Sequence, residues 1–364
     1  MRLSELVAIL EQLSPLHWAE DFDNVGLLTG HMAQEVTGVM VCHDALESVI
    51  DEAVTASCNV VVCFHPIWFS GLKRLNGSTY VERTIIKAIR HDVAIYALHT
   101  ALDNAQPGVS SWGAQALGLT QLKVLMPKRQ ALSKLVTYVP VSDSEQVRQA
   151  LFAAGAGHIG LYDQCSFRSE GVGSFRPTLG TNPVIGQIGQ YEEVVEHRVE
   201  VLVEKAKASA VLKALRTAHP YEEVAYELIP LDNDNPALGL GVVGEFAEAL
   251  SEDAFLNLVK QVFQCGGIRH SAKLGKSIRK VALLGGSGGF AISAARRAGV
   301  DAYLTADLKY HQFYEAEGQM LLADIGHFES ERFTKNHIAE FLKEKIPNFA
   351  IVLSELNTNP IYYF

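Results

Sequence analysis

Apolar residues recur at helical spacing at the start of the chain, at Leu3, Leu6, Val7, Leu10 and Leu13. They predict an amphipathic helix with Ser4 as its N-cap. The pattern then changes period. VTGVMVCHDA (36–45) is short, β-branched and almost wholly apolar, as a strand covered on both faces would be. A polar-studded helical stretch, ALESVIDEAVTAS, separates it from a second such strand, CNVVVCFH, which breaks at Pro66. Helix TYVERTIIKAIRHD and strand VAIYALH continue the alternation. Strand, helix, strand, helix, strand predicts an α/β architecture with a largely parallel sheet.

From about residue 128 the rhythm differs. Strand, helix, Gly-rich turn and strand (134–167) lead through a loose glycine-containing segment to strand HRVEVLVEK, helix SAVLKALRTA and strand AYELIPL. This βαβ–βαβ order is the ferredoxin-like signature. It stops at the turn formers DNDNPALGLG (232–241), which read as a linker. Strand–helix alternation resumes with RKVALLGGSGGFAISAARRAG and runs to the end. The expected organisation is an inserted domain over 128–236, with 1–127 and 237–364 as the two halves of one α/β domain.

Composition narrows the function classes. Lys plus Arg is 31 and Asp plus Glu is 41, a formal net charge of −10. That balance leaves no cationic excess for phosphate neutralisation, so nucleic acid is not an expected partner. No apolar run reaches the length of a membrane span, and the first residues do not have a signal-peptide pattern. The five cysteines, Cys42, Cys58, Cys63, Cys165 and Cys265, are odd in number and form no C-x-x-C pair. Neither a disulfide framework nor a zinc ribbon is suggested, and a cytoplasmic location is the simplest expectation.

Chemistry gathers where predicted strands end. His65 ends one strand. His99 ends another, with Asp103 four residues on, and His327 follows MLLADIG with Glu331 four residues on. In parallel α/β sheets ligands collect at strand carboxyl ends, and an i, i+4 spacing places two side chains on one helical face. These imidazoles and carboxylates, expected on three strand ends of one sheet, suit zinc, iron or manganese better than calcium. The Gly-rich turn 285–289 opens a helix without a GxGxxG or Walker pattern. It reads either as a tight strand–helix turn or as an anion contact that brings Ser287 near the pocket. Asp23 and Asn24 either line the same pocket or form the turn before Gly26. His311 is either a proton shuttle or a solvent-facing residue at a helix start.

The segments DFDNVGLLTG (21–30), FHPIWFSGLKRLNG (64–77), ALHTALDNA (97–105), VALLGGSGG (281–289), TADLKYH (305–311) and GHFESE (326–331) together resemble the Nif-three-like family, often labelled GTP cyclohydrolase I type 2 homologues. The resemblance runs over essentially the whole chain. It implies a split α/β/α domain with a PII-like, divalent-cation-tolerance-like insert that contains AHPYEEVAYEL (218–228), and a ring-shaped homo-hexamer. It also implies one or two divalent ions per chain held by His65, Asp103, His327 and Glu331, with Glu331 bridging. The family's His-His-Pro is Phe64-His65-Pro66 here, and a phenyl ring cannot coordinate. One subsite is therefore expected either to be empty or to be completed by water or a neighbour, with His99 the nearest candidate and Cys63 a lesser one.

Three functions follow as expectations. One is a metal-dependent hydrolase of a nucleotide or related heterocycle, with metal-activated water attacking a guanine ring. The second is a metal-handling protein, favoured by Phe64. The third is a regulatory protein whose insert senses a small molecule.

Overall fold

The computed structural model describes residues 1–129 and 131–364. They form two compact units, one of Met1–Met126 with Leu238–Phe364 and one of Pro127–Ala237. In the first unit, α1 (Leu3–Leu13) buries Leu3, Leu6, Val7 and Leu10 as its periodicity predicts. Its N-cap is Arg2, not Ser4, because the Glu5 side chain accepts the Arg2 amide at 2.7 Å. Strands β1 (Gly26–Thr29) and β2 (Val39–Asp44) lead to α2 (Glu47–Thr55). Strand β3 (Val60–His65), α3 (Tyr80–Arg90) and β4 (Ala94–Ala97) follow, then the single turn α4 (His99–Asp103), α5 (Val109–Ala116) and β5 (Thr120–Lys128).

The second unit runs β6 (Leu132–Pro140), α6 (Ser144–Ala153), β7 (Ser166–Phe175), β8 (Glu192–Glu204), α7 (Ala208–Ala218) and β9 (Tyr226–Pro230). Its sheet is antiparallel in the order β7-β8-β6-β9, and Leu135, Val139, Val199 and Val201 pack with Val147, Leu151, Val211 and Leu215 of the two helices.

The chain returns along β10 (Asn235–Ser251) and continues through α8 (Glu252–Phe263), β11 (Arg269–His270), β12 (Ser277–Ser287), α9 (Ile292–Arg297), β13 (Ala302–Ala306) and β14 (Leu321–Asp324). The turn α10 (His327–Glu331), α11 (Thr334–Lys345) and β15 (Ile351–Leu353) complete it. Most of the expected linker 232–241 therefore lies within β10. Gly239 and Gly241 take positive φ there (147° and 68°), and Val242–Glu245 then pair with β12.

The first unit holds two sheets where one was expected. One has the order β1-β4-β3-β2-β15 and the other β11-β14-β13-β12-β10-β5. Each has a parallel run, β4-β3-β2-β15 in the first and β14-β13-β12 in the second, with β1 antiparallel beside the first run and β11 and β10 antiparallel on either side of the second. Each is covered on both faces. Val39, Val41, Val60, Val62 and Tyr96 pack on α1 and α11, while Met40, Val61, Cys63 and Ile95 pack on α2. Val281, Leu283 and Leu304 pack on α8, while Ala282, Tyr303 and Leu322 pack on α9. Burial on both faces explains why these strands read as unbroken apolar runs. Among the described residues, no helix is long and apolar enough to cross a membrane.

Candidate metal centre

The two sheets are built alike where chemistry is concentrated. In each, three parallel strands end with a one-turn helix that carries histidine first and a carboxylate last. These are His99 and Asp103 on α4 after β4, and His327 and Glu331 on α10 after β14. His65 ends β3, and Asp307 follows β13. His65 and His99 thus belong to one sheet and His327 to the other, which corrects the expectation of a single sheet. Side-chain pattern alone does not reveal which strands are hydrogen-bonded neighbours.

The structure brings His65, His327 and Glu331 together, with one donor atom of each within 4.8 Å of the others. Glu331 Oε2 is the focus. His65 Nε2 lies 3.2 Å from it, and His327 Nε2 and His43 Nε2 each lie 3.4 Å from it. Glu331 is only 3% exposed, and none of these approaches is aligned as a hydrogen bond, so among the described residues Oε2 has no hydrogen-bond partner. Ligands bound tetrahedrally at about 2.0–2.1 Å are held about 3.3–3.4 Å apart, which is the spacing seen here. An orphaned carboxylate oxygen ringed by imidazole nitrogens fits a divalent cation better than it fits a salt bridge.

The far side of the rings supports this. His65 Nδ1 is 2.7 Å from Asp44 Oδ1, His327 Nδ1 is 2.6 Å from Asp307 Oδ2, and His99 Nδ1 is 2.8 Å from both Asp23 oxygens. A carboxylate on Nδ1 fixes the tautomer that leaves Nε2 as the electron-pair donor, the usual support of a metal-bound histidine. Asp23 is itself fixed by the amide and hydroxyl of Thr100 at 3.0 and 2.5 Å. His99 (φ 24°) and Asp307 (φ 55°) both have positive φ, a strained conformation that non-glycine residues keep only where their surroundings impose it.

The cluster's titratable groups perturb one another strongly. Burial and the negative charge of Glu331 drive the Asp103 carboxyl well above the usual carboxylate range. Burial opposes ionisation of Glu331, yet the charges of His327 and His65 hold it well below that range. Burial likewise works against protonating His65, but Glu331 and the Asp44 hydrogen bond push it up to about 10. His327 is raised against its burial by Glu331 and Asp307. The buried carboxylate of Glu331 and the protonated rings of His65 and His327 thus hold one another charged.

The other predicted residues have partners of their own. Ser287 Oγ donates to Asp307. The Gly-rich turn makes room for Glu331, since a Cβ on Gly286 would collide with Glu331 Oε1. Its amides at Gly285 and Gly286 donate to Ser110 and Ser330. Asn24 donates its side-chain amide to the Trp68 carbonyl at 2.9 Å. His311 is exposed, with ring contacts to Tyr310 and Tyr314. Phe64 is fully buried, its ring 4.8 Å from that of His65 and 5.6 Å from that of His99. Sequence reasoning passed over His43, Asp44 and Asp307. The strand-end rule that selected His65 also points to His43 and Asp44, which close β2.

Fold and cluster together define a two-sheet α/β protein with imidazoles and carboxylates gathered at strand carboxyl ends. The chain belongs to the Duf34/NIF3 (NGG1p interacting factor 3) family, which it matches over residues 1–360. It is 39% identical over 365 residues to a protein of Bacillus subtilis (strain 168) named GTP cyclohydrolase 1 type 2 homolog, covering 99% of this chain and 98% of that one. A Halalkalibacterium halodurans protein of the same name is also 39% identical, over 364 residues, with 98% of each chain covered. Among solved structures, a Bacillus cereus protein related to NIF3 superposes with a TM-score of 0.88 at 38% identity, covering 100% of this chain and 99% of that one. A Staphylococcus aureus protein gives 0.79 at 26% identity over 100% and 99%.

Proposed function

We propose that this chain binds divalent metal through His65, Asp103, His327 and Glu331, with His99 beside them, and uses it to hydrolyse a nucleotide or related heterocycle. The observation that carries this reading is the ring of imidazole nitrogens 3.2–3.4 Å from the orphaned Glu331 Oε2. When bound, the ion supplies acidified water at neutral pH. The chain's own groups do the rest. Asp44 and Asp307 hold the ligand rings in register. The Asp23–His99 pair presents Nε2 as a proton acceptor at the edge of the cluster. The name shared by the relatives supports a purine nucleotide such as GTP as the first substrate to try.

Elemental mass spectrometry on protein purified without tag or chelator tests the binding. One or two ions per chain are expected, and fewer than 0.2 defeats the reading. Formate release from GTP tests the chemistry, with Glu331→Gln expected to abolish it.

One observation favours a second role for 127–237, read as a ferredoxin-like, PII-like insert that senses a small molecule. It holds a cavity of about 660 Å³ lined by Tyr138, Phe175, Glu196, Arg198 and Tyr221 among others. Calorimetry with GTP on the full chain separates the two places. Weakening by Arg198→Ala assigns binding to the cavity, and weakening by Glu331→Gln assigns it to the metal centre.

A further inference from the structure

His43 is the second-last residue of β2, on the face where Val39 and Val41 pack into the core. The pattern calls for an apolar residue there. Its ring is 4% exposed and walled by Phe64 and Phe328, with ring centres 5.5 and 5.0 Å away. Neither ring nitrogen has a hydrogen-bond partner among the described residues. A buried imidazole with both nitrogens unanswered is costly, and a leucine of similar volume would avoid the cost.

One polar atom of the cluster meets that ring, Glu331 Oε2 at 3.4 Å from Nε2. Asp44 and His65 offer donors within 4.8 Å of one from His43, and the His43 and His65 rings lie 4.7 Å apart, edge to face. The side chain therefore brings a ring nitrogen to the atom on which His65 and His327 converge, from the strand next to β3 in the sheet.

We propose that His43 is a direct ligand of the metal centre and supplies to a divalent cation an imidazole that the Phe64 side chain does not. This rests on the metal reading above and adds a donor from β2 to it. A borderline cation that accepts nitrogen and oxygen together, such as Zn²⁺ or Co²⁺, is the class it suits.

The test compares the full chain with His43→Leu and His43→Gln, using Zn²⁺ titration, zinc X-ray absorption and the visible spectrum of the Co²⁺ form. The expected result is Zn²⁺ affinity at least tenfold weaker in both variants. The fitted imidazole count should fall by one, and the Co²⁺ bands should shift. Metal-free His43→Leu should melt no lower than the parent, which shows that the loss is not misfolding. His311→Gln is the control and should change none of these readouts. An unchanged imidazole count overturns the proposal even if affinity falls, because His43 would then be acting on packing alone. A parent chain that takes up no Zn²⁺ or Co²⁺ overturns the metal reading itself, an outcome distinct from metal bound without His43.

Discussion

The charge balance of single residues sets the clearest expectations. In the metal-free protein His65 holds a proton up to about pH 10, whereas an unfolded histidine releases it near 6.5. Between those values the native state binds more protons than the unfolded state, so stability must fall as pH rises through this window. The raised Asp103 carboxyl acts in the same sense. The lowered carboxyls of Asp23, Asp44 and Glu331 act oppositely, with stability that is present above about pH 4 and lost on further acidification. Urea denaturation of chelator-treated protein should therefore give a midpoint that declines from pH 6.5 to 10. A bound ion displaces the His65 proton, so the loaded protein should show a flatter profile, and equal slopes for both forms would contradict the assignment. Glu331→Gln removes the charge that raises His65. Histidine NMR should place the His65 titration well below 10 in this variant, and Zn²⁺ affinity should drop by about 100-fold or more.

At the scale of elements, the predicted site owes its shape to short connections. The i, i+4 spacing of His99 with Asp103 and of His327 with Glu331 was legible because α4 and α10 are single helical turns that start at the histidine. His43 was hidden because apolar neighbours made its strand look like plain core, and Asp307 because it sits in a turn with positive φ outside any periodic pattern. Neither signal carries strand order, which alone tells that β2 and β3 are neighbours and that β14 lies in another sheet. The Gly-rich turn could be read either as a tight turn or as an anion contact, and neither reading foresaw that Glu331 is what fills the space a side chain would need there. Gly286 has φ 70°, and a Cβ would strike Glu331 Oε1, so two independent penalties meet at one atom. Gly286→Ala should therefore be destabilising by about 1–3 kcal/mol in thermal melts and should weaken Zn²⁺ binding. A variant as stable and as tightly binding as the parent would show that the turn yields without moving Glu331. Asp307→Asn keeps the size of the residue that orients His327 and removes its charge. A drop in Zn²⁺ affinity of about 10–100-fold is expected by titration, with the melting temperature of the metal-free protein changing little.

For the whole molecule, the chain leaves its first unit after Met126 and re-enters it at Leu238, so residues far apart in sequence share one core. Ser354 of the C-terminal segment donates its amide to the Val41 carbonyl of β2 at 2.9 Å, and Thr358 donates its hydroxyl to Asp44 at 2.5 Å. The sequence rhythm changes near residue 128, and the residues that follow fold in the order βαββαβ, whose four strands pair among themselves without a strand from the flanks. The return was harder to place, since the turn formers before Gly239 run without a break into β10. The intervening residues have what an independent domain requires. Their sheet pairs internally along β6, β7, β8 and β9, and Leu135, Val139, Val147, Leu151, Val199, Val211 and Leu215 are almost wholly buried. A segment of about 110 residues has enough interior to stay folded without a metal or a disulfide. Residues 127–237 expressed alone should consequently melt in a single cooperative transition and give dispersed amide NMR signals. That transition should be indifferent to chelator, because the predicted metal ligands all lie in the other unit. The full chain should respond differently, with chelator lowering the melting transition of the first unit, since a ligand that binds only the native state stabilises it by mass action. A chelator effect on the isolated segment would instead place a metal within it.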